Sequence, residues 1–203
     1  MPPPETAIQK QRAAKAGVIN KQFVLFLGYT FFLYIASSAM STFFPVYYAK
    51  ELSGDVGVLS IVISAATLLE WAVMVVFGGK IARLPSKTVF LIIALSGVCK
   101  GLIMYAVQQP LLILLSFVFH GIWYGVLWAS ATPYLNQIIP RKNLTVAQSI
   151  WTLLSSGIAA AAGSFAGGQL GELFGLRNLF LIIALLMGML SVMTPVLFPK
   201  KIS

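Results

Sequence analysis

Six long apolar stretches, separated by short polar breaks, constrain the fold of this chain more than any other feature. An α-helix needs about 20 apolar residues to cross the hydrocarbon core of a bilayer, and each stretch is long enough to supply them. We predict membrane-spanning helices at 22–49, 56–79, 88–107, 111–138, 146–173 and 178–198. The predicted fold class is therefore an all-α, polytopic membrane protein.

Composition supports this class and excludes others. Hydrophobic residues make up 59% of the 203 residues and charged residues only 9%, whereas soluble domains carry about 25% charged residues. The surface is therefore expected to face the lipid bilayer. The net charge of +9 comes from basic residues between the spans and at the termini, so no nucleic-acid partner is expected. With one cysteine, Cys99, one histidine and no phosphate-binding loop, we expect no enzyme, no cofactor and no metal site.

The polar ends of the chain are predicted to lie outside the membrane domain. Residues 1–21 are polar and basic, which favours a flexible cytoplasmic tail or a linker between two halves of a longer protein. Residues 22–199 form the predicted six-helix domain, and residues 200–203 form a short cytoplasmic tail.

Basic residues between the spans predict the orientation. Eleven of the 14 lysines and arginines fall on the side that holds both termini, two fall on the other side, and Lys100 lies inside a span. Lysine and arginine are enriched on the cytoplasmic side of membrane proteins. We therefore expect a multi-pass protein of the cell membrane with both termini in the cytoplasm.

Three ionisable residues lie near the middle of three consecutive spans: Glu70, Lys100 and His120. A charge at that depth costs about 2.5 kcal/mol or more, and such residues usually face a bundle interior or a wet cavity. A carboxyl and an imidazole there can hold and pass protons, which a proton-coupled carrier requires. The alternative is a static polar cluster that fixes helix packing.

A segment at the end of the second predicted helix recurs at the end of the fifth. Gly78-Gly79 and Gly167-Gly168 each precede, after one loop, the sequence Phe-Leu-Ile-Ile-Ala-Leu, at 90–95 and 180–185. Three helices separate the copies, so the two copies face opposite sides of the membrane. Inverted repeats of three helices are typical of secondary transporters. We expect these glycines, with Arg83 and Glu172 at matching loop positions, to serve packing and conformational change.

Helical spacing outlines a possible substrate wall. In the fourth span His120, Tyr124 and Trp128 recur every four residues and so share a face, with Trp123 beside them. Aromatic rings there can stack on a ring of the solute. The first span carries a second polar stripe, formed by Thr30, Tyr34, Ser37 and Ser41. Tyr34, Ser37 and Ser41 are candidate substrate contacts, although serine and threonine in such a stripe also suit helix–helix packing.

Several short motifs occur in a consistent order along the chain. They are Phe43-Phe44-Pro45-Val46-Tyr47-Tyr48, Glu70 before Gly78-Gly79, Lys100, His120-Gly121, Ala147-Gln148-Ser149 after Pro140-Arg141, and the segment from Gly167 to Glu172. In this order they resemble the C-terminal six-helix half of a major facilitator superfamily transporter. The nearest resemblance is to the proton-linked group that includes the lactose, nucleoside and phenylpropionate permeases.

The resemblance implies secondary active transport of a small organic solute, such as a sugar, a nucleoside or an aromatic acid, coupled to protons through Glu70, His120 and Lys100. It also implies a second six-helix half, either a missing N-terminal half, a split partner or a second copy of this chain. The alternatives are a non-transporting membrane fragment or partner subunit, and a passive six-helix carrier. Two positions depart from the group: Lys100 replaces the usual arginine, and Trp123 replaces a carboxylate of the lactose permease.

The predicted topology can be tested by cysteine accessibility. In a Cys99→Ala background, Ser53→Cys lies in an outer loop and Ser86→Cys in an inner loop. We expect a membrane-impermeant thiol reagent added outside intact cells to label Ser53→Cys and to spare Ser86→Cys. The reverse pattern would reject the orientation.

Overall fold

The described part of this computed structural model, residues 19–198, contains six helices that are long and apolar enough to cross a membrane. They are α1 (Lys21–Lys50), α2 (Val56–Ile81), α3 (Ser86–Ala106), α4 (Pro110–Ile138), α5 (Arg141–Phe174) and α6 (Leu176–Leu197). The predicted all-α class with six spans is confirmed. Most of the predicted N-terminal tail (1–18), the C-terminal tail (200–203) and the predicted domain end at residue 199 lie outside the described residues.

Side-chain caps fix where the first two helices begin. The Asn20 side chain accepts a hydrogen bond from the backbone N–H of Phe23 at 2.8 Å, and Asp55 accepts from Gly57 at 2.6 Å. Such caps satisfy backbone donors that have no partner within the helix. Asn20 also donates to the carbonyl of Ile138 at 2.7 Å. This bond ties the start of α1 to the end of α4.

Two connections are shorter than the sequence predicted. The fifth helix begins at Arg141 rather than at 146, because a single 3₁₀ turn, Arg141–Asn143, follows Pro140 directly and continues into the helix. Proline suits such a position, since it lacks an N–H and its φ is already close to helical. The predicted break at 175–178 is reduced to Gly175, whose φ of +84° favours glycine.

Two helices contain π-helical segments that the periodicity did not reveal. They are Val73–Phe77 in α2 and Leu153–Ala159 in α5. A π segment adds one residue to a turn and so rotates the following side chains, and such segments are common at functional sites. The two helices occupy corresponding places in the proposed repeat.

The helix packing has the symmetry that an inverted repeat requires. The principal neighbours of α1 and α4 are α5 and α2 respectively, and α3 packs against α6. Exchanging the first three helices with the last three turns the α1–α5 pair into the α4–α2 pair and leaves the α3–α6 pair unchanged. The secondary pairs, α3 with α4 and α6 with α1, exchange in the same way.

Glycines allow the closest of these helix approaches. A Cβ on Gly125 of α4 would lie 2.7 Å from Cβ of Val73 and 2.9 Å from the carbonyl oxygen of Glu70, both on α2. A Cβ on Gly167 of α5 would lie 2.9 Å from Cβ of Ala39 on α1. Small residues let membrane helices pack in this way.

The other predicted packing glycines have more room. A Cβ on Gly78 or Gly168 would meet its nearest neighbour at 3.9 Å or 3.3 Å, and one on Gly79 would meet nothing within 4 Å. Close approach therefore explains Gly167 but not the Gly78-Gly79 pair.

The α2–α4 contact predicts a stability difference between two glycine substitutions. Gly125→Ala forces the helices apart, and overpacking typically costs about 1–3 kcal/mol. Gly188→Ala on α6 is the matched control, because its Cβ would meet nothing within 4 Å. We expect Gly125→Ala alone to lower the midpoint of thermal unfolding of the purified protein in detergent. Equal midpoints would contradict the packing argument.

Candidate functional site

A cavity of about 350 Å³ lies between α1, α4 and α5. Ligand sites for small organic molecules commonly range from about 300 to 1,000 Å³. Four of the predicted substrate contacts line it: Tyr34, Ser41, Tyr124 and Trp128. The remaining lining residues are Ser38, Thr42, Ser156 and Ala160.

A larger cavity, of about 590 Å³, lies at one end of the bundle. Lys21, Arg83 and Phe198 border it, close to the ends of their helices. Arg83 is the only predicted site residue that reaches this cavity. Four predicted substrate contacts line the smaller cavity, and His120 packs against Tyr124 on its wall, so the smaller cavity is the better candidate site.

Two predicted substrate contacts lie behind the cavity wall rather than on it. Trp123 is buried, and its ring packs edge-on against Tyr34 and Tyr124, with centroids 5.6 Å and 4.5 Å away. Ser37 is also buried, and its hydroxyl donates to the Tyr124 hydroxyl oxygen at 3.4 Å. Both residues therefore position the lining aromatics.

Sequence reasoning missed the polar contacts that join α1 to α5. Ser38 donates to the carbonyl of Ala160 at 2.8 Å, and its hydroxyl lies 3.0 Å from that of Ser164. Thr42 lies 2.9 Å from the same Ser164 hydroxyl. Ser38 and Thr42 are four residues apart, so a second stripe was present in the sequence. It could be chosen only by knowing that α5 is the neighbour of α1.

Lys100 and His120 meet in the bundle interior. The ammonium of Lys100 on α3 lies 3.0 Å from Nδ1 of His120 on α4, and Lys100 is only 4% exposed. The His120 ring in turn packs against Tyr124, with centroids 4.7 Å apart. A continuous polar and aromatic path therefore leads from Lys100 through His120 to the cavity.

Glu70 lies apart from this pair. It is half-buried on α2, and its carboxylate is within electrostatic range of the Tyr34 and Tyr124 hydroxyls. Within residues 19–198, Lys100 hydrogen-bonds only to His120 and is not paired with Glu70. The structure thus brings Lys100 and His120 together and places Glu70 near Tyr124, the tyrosine that His120 contacts.

The last two predicted packing residues have no role at the cavity. Glu172 is exposed near the end of α5, and Gly168 is partly buried beside Phe43. No group of three potential metal-ligating side chains occurs in the described part of the chain.

Comparison with known families places the chain. The family model of the Major Facilitator Superfamily matches residues 26–202. The chain belongs to the Major Facilitator Superfamily. Its members are membrane transporters rather than enzymes, and the six spans and the cavity at mid-bundle suit that function. No curated protein and no solved structure gave a match.

Accessibility of the cavity in this Major Facilitator Superfamily chain can be tested at two serines that lie one helical turn apart on α1. Ser41 is exposed in the cavity, whereas Ser37 is 4% exposed. In a Cys99→Ala background, we expect a water-soluble thiol reagent to modify Ser41→Cys much faster than Ser37→Cys. Equal rates, measured by mass spectrometry of the purified protein, would contradict the assigned wall.

Proposed function

We propose that this chain forms one half of a proton-coupled secondary transporter for a small organic solute, of the kind found among the lactose, nucleoside and phenylpropionate permeases. The observation that carries the proposal is the convergence of three features at mid-bundle. These are the aromatic cavity, the Lys100–His120 pair and the nearby Glu70 carboxyl.

Glu70 is the proposed proton carrier. It is the only acidic residue near the middle of a span, since Glu172 lies near the end of α5 and Glu5, Glu51 and Asp55 lie outside the six helices. Protonation removes its charge from the membrane interior, where charge is costly. Its position near Tyr34 and Tyr124 couples its charge state to side chains that line the cavity.

The Lys100–His120 pair is proposed to complete the coupling site. Lysine cannot accept a hydrogen bond, so a charged Lys100 donates to His120 Nδ1. His120 then contacts the Lys100 ammonium on one side and the Tyr124 ring on the other. A change in the charge of Glu70, or the binding of a solute, can therefore affect Lys100 through Tyr124 and His120.

The proposed partner is a second six-helix unit that covers α2 and α5. Only 11% of the most apolar window of α2 and 22% of that of α5 is buried, against 39–56% in the other spans. Both helices expose serine and threonine at three- and four-residue spacing, which suits helix association better than lipid. On α2 these residues are Ser60, Ser64 and Thr67, and on α5 they are Thr145, Ser149, Thr152 and Ser156.

The partner unit has three possible origins: an N-terminal half of the same protein, a separate split chain or a second copy of this chain. In each case the cavity between α1, α4 and α5 provides one wall of the solute pathway. The opposite wall comes from the partner.

The proposed location is the cell membrane, with both termini in the cytoplasm. The charge distribution supports this orientation, because Lys50 and Arg177 are the only basic residues on the opposite side. Arg177 has a structural role there: its Nε donates to the carbonyl of Tyr105 at 2.9 Å, and its guanidinium lies 5.0 Å from the Tyr105 ring centre.

Glu70→Gln tests the coupling role in the assembled transporter. The amide keeps the size and hydrogen-bonding capacity of the side chain but cannot release a proton. We expect loss of uphill accumulation driven by a pH gradient in proteoliposomes, while exchange of solute between the two sides persists. Glu51→Gln, outside the spans, is the matched control and should accumulate solute normally. Full accumulation by Glu70→Gln would remove Glu70 from the mechanism.

A further inference from the structure

Two buried polar groups, one on the cavity wall and one just behind it, lack hydrogen-bond partners in the described part of the chain. The Tyr34 hydroxyl and the Trp123 indole nitrogen are buried and have no hydrogen-bond partner within residues 19–198. A buried polar group left without a partner costs about 1–3 kcal/mol. The indole N–H can only donate, and a tyrosine hydroxyl can donate as well. Of the two, only the Tyr34 hydroxyl lies on the cavity wall, where a solute with acceptor atoms satisfies it, whereas the Trp123 nitrogen lies behind the wall.

The Lys100–His120 pair presents one further hydrogen-bond donor. A charged lysine is a donor only, so Nδ1 of His120 accepts and the proton of the neutral imidazole resides on Nε2. His120 thus presents a further N–H. The Tyr124 hydroxyl oxygen accepts from Ser37, which leaves its own proton free to be donated.

The positive charge of Lys100 has no matching negative charge in the protonated protein. Glu70 is the only carboxyl near the middle of a span, and Lys100 is not paired with it in the described residues. Once Glu70 binds a proton, the middle of the spans contains no anion. A buried ammonium that lacks an anion is unfavourable, and the cavity that a solute can enter lies beyond His120 and Tyr124.

We propose that the transported solute is an organic anion, a carboxylate on an apolar or aromatic body, and that the carboxylate compensates the charge of Lys100. This inference rests on the proposed transport function and specifies its substrate class. Tyr34, Tyr124 and Trp128 provide aromatic surface for the body of the solute. The hydroxyls of Tyr34 and Tyr124 provide hydrogen bonds to the carboxylate.

Charge balance then explains how the proton and the anion are coupled. The empty carrier has Glu70 ionised and Lys100 charged, so the middle of its spans has no net charge. The fully loaded carrier has neutral Glu70, charged Lys100 and the bound anion, and is again neutral. A carrier loaded with the proton alone has one excess positive charge, and one loaded with the anion alone has one excess negative charge. Because uncompensated charge in a bilayer is costly, only the empty and fully loaded forms reorient readily.

The first test compares a carboxylate with its neutral amide. The purified protein in lipid nanodiscs is titrated with phenylacetate and with phenylacetamide at mildly acidic pH. Binding is followed by tryptophan fluorescence, since Trp128 lines the cavity and Trp123 and Trp151 pack close to it. We expect phenylacetate to bind about tenfold more tightly or better than phenylacetamide, because only the anion compensates the charge of Lys100.

Variants of Lys100 assign the preference to its charge. Lys100→Met should abolish the preference for the acid over the amide, whereas Lys100→Arg should retain most of it. Lys80→Met, at the exposed end of α2, is the matched control and should behave like the unmodified chain. Thermal unfolding of each variant verifies that it is folded.

Three results would overturn the anion inference: equal binding of acid and amide, an unchanged preference in Lys100→Met, or no binding of phenylacetate, benzoate and acetate alike. The transport proposal is judged separately. Proton-driven accumulation of a neutral solute would overturn the anion inference and leave that proposal standing, whereas a lack of any proton-driven accumulation would overturn the transport proposal.

Discussion

The close approach of α4 to α2 and of α5 to α1 is the constraint on which the candidate site depends. Lipid offers no hydrophobic driving force between helices, so membrane helices associate through close packing and hydrogen bonds. Gly125 lets the backbone of Glu70 pack directly on α4, and Gly167 lets α5 pack on α1. These contacts bring Glu70 into the neighbourhood of Tyr124 and form the cavity between α1, α4 and α5.

Charge is the second constraint, and it links the structure to transport. A charge inside the bilayer is tolerated where a partner or water compensates it. Lys100 has a neutral histidine as its hydrogen-bond partner, and the single mid-span carboxylate lies elsewhere in the described structure. Ionised Glu70 balances the charge of Lys100 at a distance. Once Glu70 is protonated, an anion near Lys100 restores the balance, which is the basis of the proposed co-transport.

Several features of the fold and the site were predictable because they depend on local composition. The six spans follow from apolar length, and the structure shifts their ends by at most a few residues, with the largest shift at Arg141. Tyr34, Ser41, Tyr124 and Trp128 were predicted to lie on one wall because residues on one helical face share their surroundings, and all four line the cavity. Trp123 and Ser37 are buried behind that wall, since periodicity identifies a face but not the depth of each side chain.

The sequence by itself determined the membrane class, the six helices, the repeat and the identity of the three ionisable residues, because each depends on the chemistry of a residue and its near neighbours. Only the tertiary structure decided that Lys100 pairs with His120 rather than with Glu70, and that Ser38 and Thr42 face Ser164. The physical reason is that these contacts join different helices, so their geometry depends on helix rotation and on the distance between helices. Glycine contacts set that distance for α2 with α4 and for α1 with α5, and the π segments rotate side chains of α2 and α5.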